Sequence, residues 1–330
     1  MKGIKMIFKT IVVLLIIVSI IVVGLSLVNK NRADNYYKYT KTDGNLDAKY
    51  TAMGNDKVSY KEYETKDEAV KKYAIWYPEK LESGDDKYPV IIFANGTGST
   101  SNTYKSFLIH LASWGFISVG NDDENTRTGD SLNKTIEFLI SENENKDSLF
   151  YHKIDIENIG IGGHSQGGPA VFNMARKQSH KEKIKAVYAV SPTSSYHTNN
   201  FKNGWEYDLS LVHVPVFMTA GTGAFDAGTA NEKDIESDEK KGIMQGIAPL
   251  WSLEENFNNL PKDIDKIYAR KKGIDHGDSY LQTDGYMTAW FRYYLMNDKE
   301  AEKAFFGENP EIMKNSNYQD VKINIRKFNN

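Results

Sequence analysis

The sequence predicts an α/β protein with a mostly parallel central sheet and helices on both faces, and three observations carry that expectation. From Lys57 onward, short apolar and β-branched runs alternate with helix-length amphipathic segments. One run, Pro89-Val-Ile-Ile-Phe-Ala94, is wholly apolar, as a strand covered on both faces of a parallel sheet must be. Glycine-rich turns close several of these runs, at Asn95–Gly98, Gly163–Gly168 and Gly221–Gly228.

Taken in order, Val58–Glu64 and Val70–Tyr77 have no helix between them and read as an antiparallel entry to the sheet. Strand Pro89–Ala94 follows, then a helix at Thr103–Trp114, a strand at Phe116–Gly120, a helix at Ser131–Glu142 and a strand at Ile156–Gly162. The series continues with helix Gln166–Gln178, strands Ile184–Val190 and Val214–Ala220, helix Ile243–Asn258, strand Lys266–Arg270 and helix Ser279–Met296. Right-handed crossovers gather such a series into a parallel sheet whose reactive loops lie at the C-terminal ends of the strands. Between Val190 and Val214 the connection is too short for a large helical lid.

Composition narrows the function classes. The 330 residues carry 41 Lys+Arg against 44 Asp+Glu, a net charge of −3, so no basic surplus exists to bind a nucleic-acid backbone. With 40% apolar and 12% aromatic residues the chain can build one large core. The absence of cysteine excludes disulfides, thiolate zinc sites, thiol catalysis and a thioether lipid anchor. Ile11–Val28 runs without charge or proline behind Lys2, Lys5 and Lys9. Residues 1–28 therefore read as an uncleaved signal anchor, with a cleaved secretory signal as the alternative, and the body is expected outside the cytoplasm. Residues 29–56 are polar and lack an apolar period, so they read as a tether, leaving 57–330 as a single α/β domain.

One motif carries chemistry. Gly163-His164-Ser165-Gln166-Gly167 stands at the end of a strand and opens a helix. A serine on such a strand-to-helix elbow has an exposed hydroxyl and needs small neighbours. A hydroxyl is a poor nucleophile without a base. Of the seven histidines, His276 follows the late strand Lys266–Arg270 in a glycine-flanked loop and is the candidate base. His164 adjoins the serine and is expected to point into the sheet, whereas His197 is a possible pocket residue. Asp226, in the loop after Val214–Ala220, is the candidate acid that fixes the imidazole. Asp208, Asp234, Asp238 and Asp275 fit less well, Asp275 because its side chain is expected to project away from its neighbour His276. Backbone N–H groups of Thr97 and Gln166 are the candidate oxyanion donors, the latter at a helix N-terminus. Tyr104, Tyr196, Trp205, Tyr207, Phe225 and Trp251 are candidate pocket aromatics. No cofactor or metal is required, and no cluster at ligand spacing suggests one.

With these residues in place the chain resembles the α/β-hydrolase superfamily from about Ala69 to Asn297, and within it the cutinase-like polyester hydrolases and the dienelactone-hydrolase-related esterases. The likeness rests on GHSQGG, on IIFANGTGSTSNTY with LASWGFISVGND, and on FNNLPKDIDKIYARKKGIDHGD. It implies an α/β-hydrolase fold without a large lid, a Ser165–His276–Asp226 triad, Thr97 and Gln166 as amide donors, and hydrolysis of small or lipid-like carboxylic esters. The sequence departs from the polyester-degrading enzymes at Thr97, where they carry an aromatic residue, and at Gln166, where they carry methionine. A peptidase or acyltransferase on the same triad, or a surface binding protein that kept the fold without turnover, are the alternatives.

Overall fold

The computed structural model describes residues 28–201, 203–229 and 246–325. Nine strands form one sheet in the order β1-β2-β4-β3-β5-β6-β7-β8-β9. They are β1 (Val58–Glu64), β2 (Lys72–Pro78), β3 (Tyr88–Ala94), β4 (Ile117–Asn121), β5 (Ile154–His164), β6 (Ile184–Val190), β7 (Val216–Gly221), β8 (Lys266–Lys271) and β9 (Tyr318–Asn324). The centre, from β4 through β8, is parallel. Both margins are antiparallel: β1 on β2, β2 on β4, and β9 on β8. This is the α/β-hydrolase fold the sequence implied. The final strand was not expected, because Tyr318–Asn324 lies at a sheet edge with Tyr318 its one buried residue and lacks the apolar run of the central strands.

Strand alternation divides the interior into two cores. In β3, Val90, Ile92 and Ala94 face one layer, and Ile91 and Phe93 face the other. The first layer is closed by α3 (Asp130–Glu144), α4 (Gly167–Lys177) and α6 (Leu250–Asn259), through Ile136, Phe172 and Leu253 among others. The second is closed by α2 (Lys105–Ser113) and α7 (Asp284–Met296), which bring in Phe107, Leu111, Met287 and Trp290. The expected helix at Ser279–Met296 is broken at Thr283, with a short turn at Ser279–Gln282 preceding α7. Between β6 and β7 the described residues carry only the two-turn helix α5 (Ser195–Phe201) and a 3-10 turn at Leu209–Leu211.

The expectation of a tether at 29–56 is corrected. Residues 45–51 form helix α1 (Asn45–Thr51), which packs on α7, and Tyr36, Leu46 and Tyr50 are buried in the second core. Leu46 and Tyr50 lie four residues apart and so share one helix face, an apolar pair too brief to register as a period in a polar stretch. Polar contacts complete the docking. The Glu311 carboxylate accepts the N–H groups of Leu46 (2.9 Å) and Asp47 (2.8 Å), capping α1 from the far end of the chain. Asp284 of α7 accepts from the Tyr36 hydroxyl and lies 2.7 Å from His110 Nδ1. The other ring nitrogen of His110 lies 2.8 Å from the Ala52 carbonyl. The apolar segment Ile11–Val28 falls outside the described residues except for Val28. No helix among the described residues is long and apolar enough to cross a membrane.

Candidate active site

Ser165 follows the last residue of β5 with φ +58, one of few non-glycine residues in the left-handed region. The elbow is possible because its flanks have no side chains. A Cβ on Gly163 would lie 2.1 Å from the Gly167 carbonyl oxygen, and one on Gly167 would lie 2.3 Å from that of Ala94. Main-chain bonds hold the turn: Ser165 N–H donates to Val190 O (3.0 Å), and its carbonyl accepts from Gly168 (2.9 Å) and Thr193 (3.1 Å). The serine is left half-exposed at the C-terminal rim of the sheet.

The loops after β7 and β8 meet at the same rim. Asp226 is fully buried on a short helical turn, Ala224–Ala227, and its Oδ1 lies 2.7 Å from His276 Nδ1. Its Oδ2 accepts from Gly221 N–H (2.6 Å) and from the Ser191 hydroxyl (2.6 Å). Every acceptor position on the carboxylate that matters for its orientation is thus engaged by a fixed donor. The His276 ring is flanked by His164, with centroids 4.7 Å apart, and by the edge of Phe225 at 5.1 Å. With Nδ1 committed to Asp226, Nε2 is the nitrogen left to receive a proton. No hydrogen bond joins Ser165 Oγ to Nε2 in this structure.

Asp275 does not project away as expected. Its Oδ1 accepts the N–H groups of Asp226 (2.8 Å) and His276 (2.9 Å), and its Oδ2 that of Phe225 (3.2 Å). The carboxylate staples the acid loop to the base loop. Burial alone would raise its pKa, but the three backbone donors and nearby His276 hold it below the usual aspartate value. Ser191 and Asp275 are residues that sequence reasoning missed as parts of the site. The only signal was the adjacency of Asp275 to His276.

The oxyanion candidates also come together. Thr97 lies in the loop after β3, and Gln166 immediately precedes α4. The buried Gln166 side chain donates from Nε2 to Thr97 Oγ1 (2.9 Å) and to Glu124 O (3.1 Å), while its Oε1 accepts Arg127 N–H (3.3 Å). One side chain thereby ties the loop bearing one candidate donor to the residue bearing the other. Of the expected pocket aromatics, Phe225 is 57% exposed beside His276. Trp205 carries the Arg127 guanidinium over its ring at 5.7 Å, and Tyr196 packs edge-on against His197. Tyr207 packs on Phe172 of the first core, and Tyr104 is buried beneath the Asn95–Gly98 loop. His197 is buried, with Nε2 3.1 Å from the Gly246 carbonyl. Asp208 caps the 3-10 turn at Leu209–Leu211, and Asp234 and Asp238 lie outside the described residues. Among the described residues no group of three or more His, Asp and Glu side chains could hold a metal ion.

A strained serine at a strand-to-helix elbow, within a sheet of this order, defines a protein of the α/β-hydrolase type. A family model described as Chlorophyllase matches residues 49–202, less than half of the chain, which takes in β1 through α5 and includes Ser165 but not Asp226 or His276. No curated protein gives a significant match.

Proposed function

We propose that this protein is a serine hydrolase of carboxylic esters. Ser165 attacks the ester carbonyl; His276 Nε2 takes the hydroxyl proton and returns it to the leaving alcohol. Asp226 holds the ring and stabilises its positive charge, and the N–H groups of Thr97 and Gln166 receive the developing oxyanion. Water then attacks the acyl-enzyme by the same proton relay in reverse. The observation that carries the reading is the 2.7 Å Asp226–His276 pair, fixed on two loops at the rim where the left-handed Ser165 stands. The match to the Chlorophyllase family model supports an ester as the substrate class. The narrower likeness to the cutinase-like and dienelactone-hydrolase-related esterases rests on sequence stretches alone.

The test is turnover of a short-chain p-nitrophenyl ester, together with labelling by a fluorophosphonate probe, by the purified full chain and by its Ser165→Ala variant. Labelling and hydrolysis by the wild type, both lost in the variant, are expected; a wild type that does neither overturns the reading. On sequence grounds we also propose that the body lies outside the cytoplasm, either anchored through residues 1–28 or released by their cleavage. Protease added to intact cells should then digest it, and protection until lysis would refute the placement.

A further inference from the structure

We infer that Tyr104 and His164 are positioning residues that couple the oxyanion loop to the catalytic histidine through one directed chain of hydrogen bonds. This inference rests on the esterase reading above, and the chain is defined by three contacts. Gly96 N–H donates to Tyr104 Oη (2.8 Å), Tyr104 Oη lies 3.0 Å from His164 Nδ1, and His164 Nε2 lies 2.9 Å from the His276 carbonyl oxygen.

Counting protons leaves one arrangement. The Gly96 amide can only donate and the His276 carbonyl can only accept. Tyr104 Oη has one hydrogen of its own to give; the Gly96 amide and the Ser99 hydroxyl beside it donate, and His164 Nδ1, across from an Nε2 that must donate to His276 O, is the neighbour that takes it. His164 Nδ1 is therefore bare, and Nε2 carries the hydrogen that goes to His276 O. The imidazole must be neutral for this pattern, and its surroundings enforce neutrality. Burial, reinforced by the neighbouring His276, lowers the His164 pKa to about 3.

The chain is rigid as well as directed. Tyr104 is 1% exposed and ringed by Phe93, Phe107 and Tyr280, with centroids 4.9, 5.9 and 4.9 Å away. Tyr280 also lies 5.2 Å from the His164 ring. At its loop end, Gly96 is so close that an added Cβ would stand 3.0 Å from Tyr104 Oη and 3.4 Å from Ser165 Cβ. Gly96 directly precedes Thr97, whose side chain Gln166 holds from the other side. Thr97 N–H is thus placed by two anchors, one from the elbow helix and one from the base loop. A shift at either end of the chain is felt at the other, so oxyanion donor and base move together. His164, which also forms the backbone step into Ser165, is the hinge of that coupling.

Tyr104→Phe removes only the hydroxyl and keeps the ring packing. The expected result on a p-nitrophenyl ester is a fall in kcat of about tenfold with KM changed less than twofold, and an unchanged melting temperature within a few degrees. His164→Gln, which can still donate to the His276 carbonyl, should lose less than His164→Phe. Because the residues act as one chain, Tyr104→Phe combined with His164→Phe should lose little more than the worse single variant. A Tyr104→Phe enzyme within twofold of wild-type kcat, an equal change in KM and kcat, or additive losses in the double variant would each overturn the coupling while leaving the Ser165 reading intact. A wild type that is inert, with no difference from Ser165→Ala, would remove the coupling together with the esterase reading.

Discussion

Holding a serine at φ +58 costs on the order of 1–3 kcal/mol, and the three main-chain hydrogen bonds around Ser165 are what keep it there. Around it, the acid and its supports follow the same logic, with partners that fix their direction. Asp226 shows this best: Gly221 and Ser191 occupy Oδ2, so Oδ1 is the atom turned to His276. Asp226→Asn would present an amide whose hydrogen-bond pattern no longer selects the required imidazole tautomer. Turnover of a p-nitrophenyl ester should fall about 10³–10⁴-fold while the fold is retained, as measured by circular dichroism. Ser165, Asp226 and His276 were legible in the sequence because their order along the chain and their glycine-rich turns are local properties. The roles of Asp275, Ser191 and the Gln166 amide were not legible, since they depend on which way a side chain turns once two distant loops have met. Asp275 adjoins His276 in sequence, yet only the folded loops show it binding the Asp226 amide.

Among elements, the central strands were readable because burial on both faces demands continuous apolar runs, as in Val90–Ala94. Elements at the margins were not, because each needs the rest of the protein to cover it. Helix α1 is seven residues long, too short to be stable alone, and exists because α7 covers it and Glu311 caps it. His110 ties this docking to pH. Burial alone would lower its pKa, but the Asp284 charge and the carbonyls of the 51–52 turn outweigh that and raise it. A raised histidine stabilises fully below the unfolded value, about 6.5, and loses its contribution as pH climbs through the folded value. His110→Gln, which leaves Asp284 without its cation, should be less stable than wild type by about 3–5 kcal/mol at pH 6. Urea unfolding should show that gap narrowing toward pH 9, and a gap independent of pH would refute the assignment of charge to His110.

At the scale of the whole molecule, the parallel centre supplies the rim that carries Ser165, Asp226 and His276, and the antiparallel margins and the N-terminal segment seal the second core. Burial of Tyr36, Leu46 and Tyr50 is worth about 1.5–3 kcal/mol per side chain, a sum comparable to the total stability of an ordinary domain. A chain beginning at residue 57 should therefore melt far below one beginning at residue 29, or fail to fold, and equal melting temperatures would contradict the packing of α1 on α7. The position of Tyr36 also shows how far toward the N-terminus the packed interior reaches. A protease cut between residues 28 and 35 would leave the tyrosine hydroxyl seated on Asp284 and the packed interior whole. A cut only slightly later would strip away a piece of the interior, so a harmless nick and a destabilising one lie within a few peptide bonds of each other.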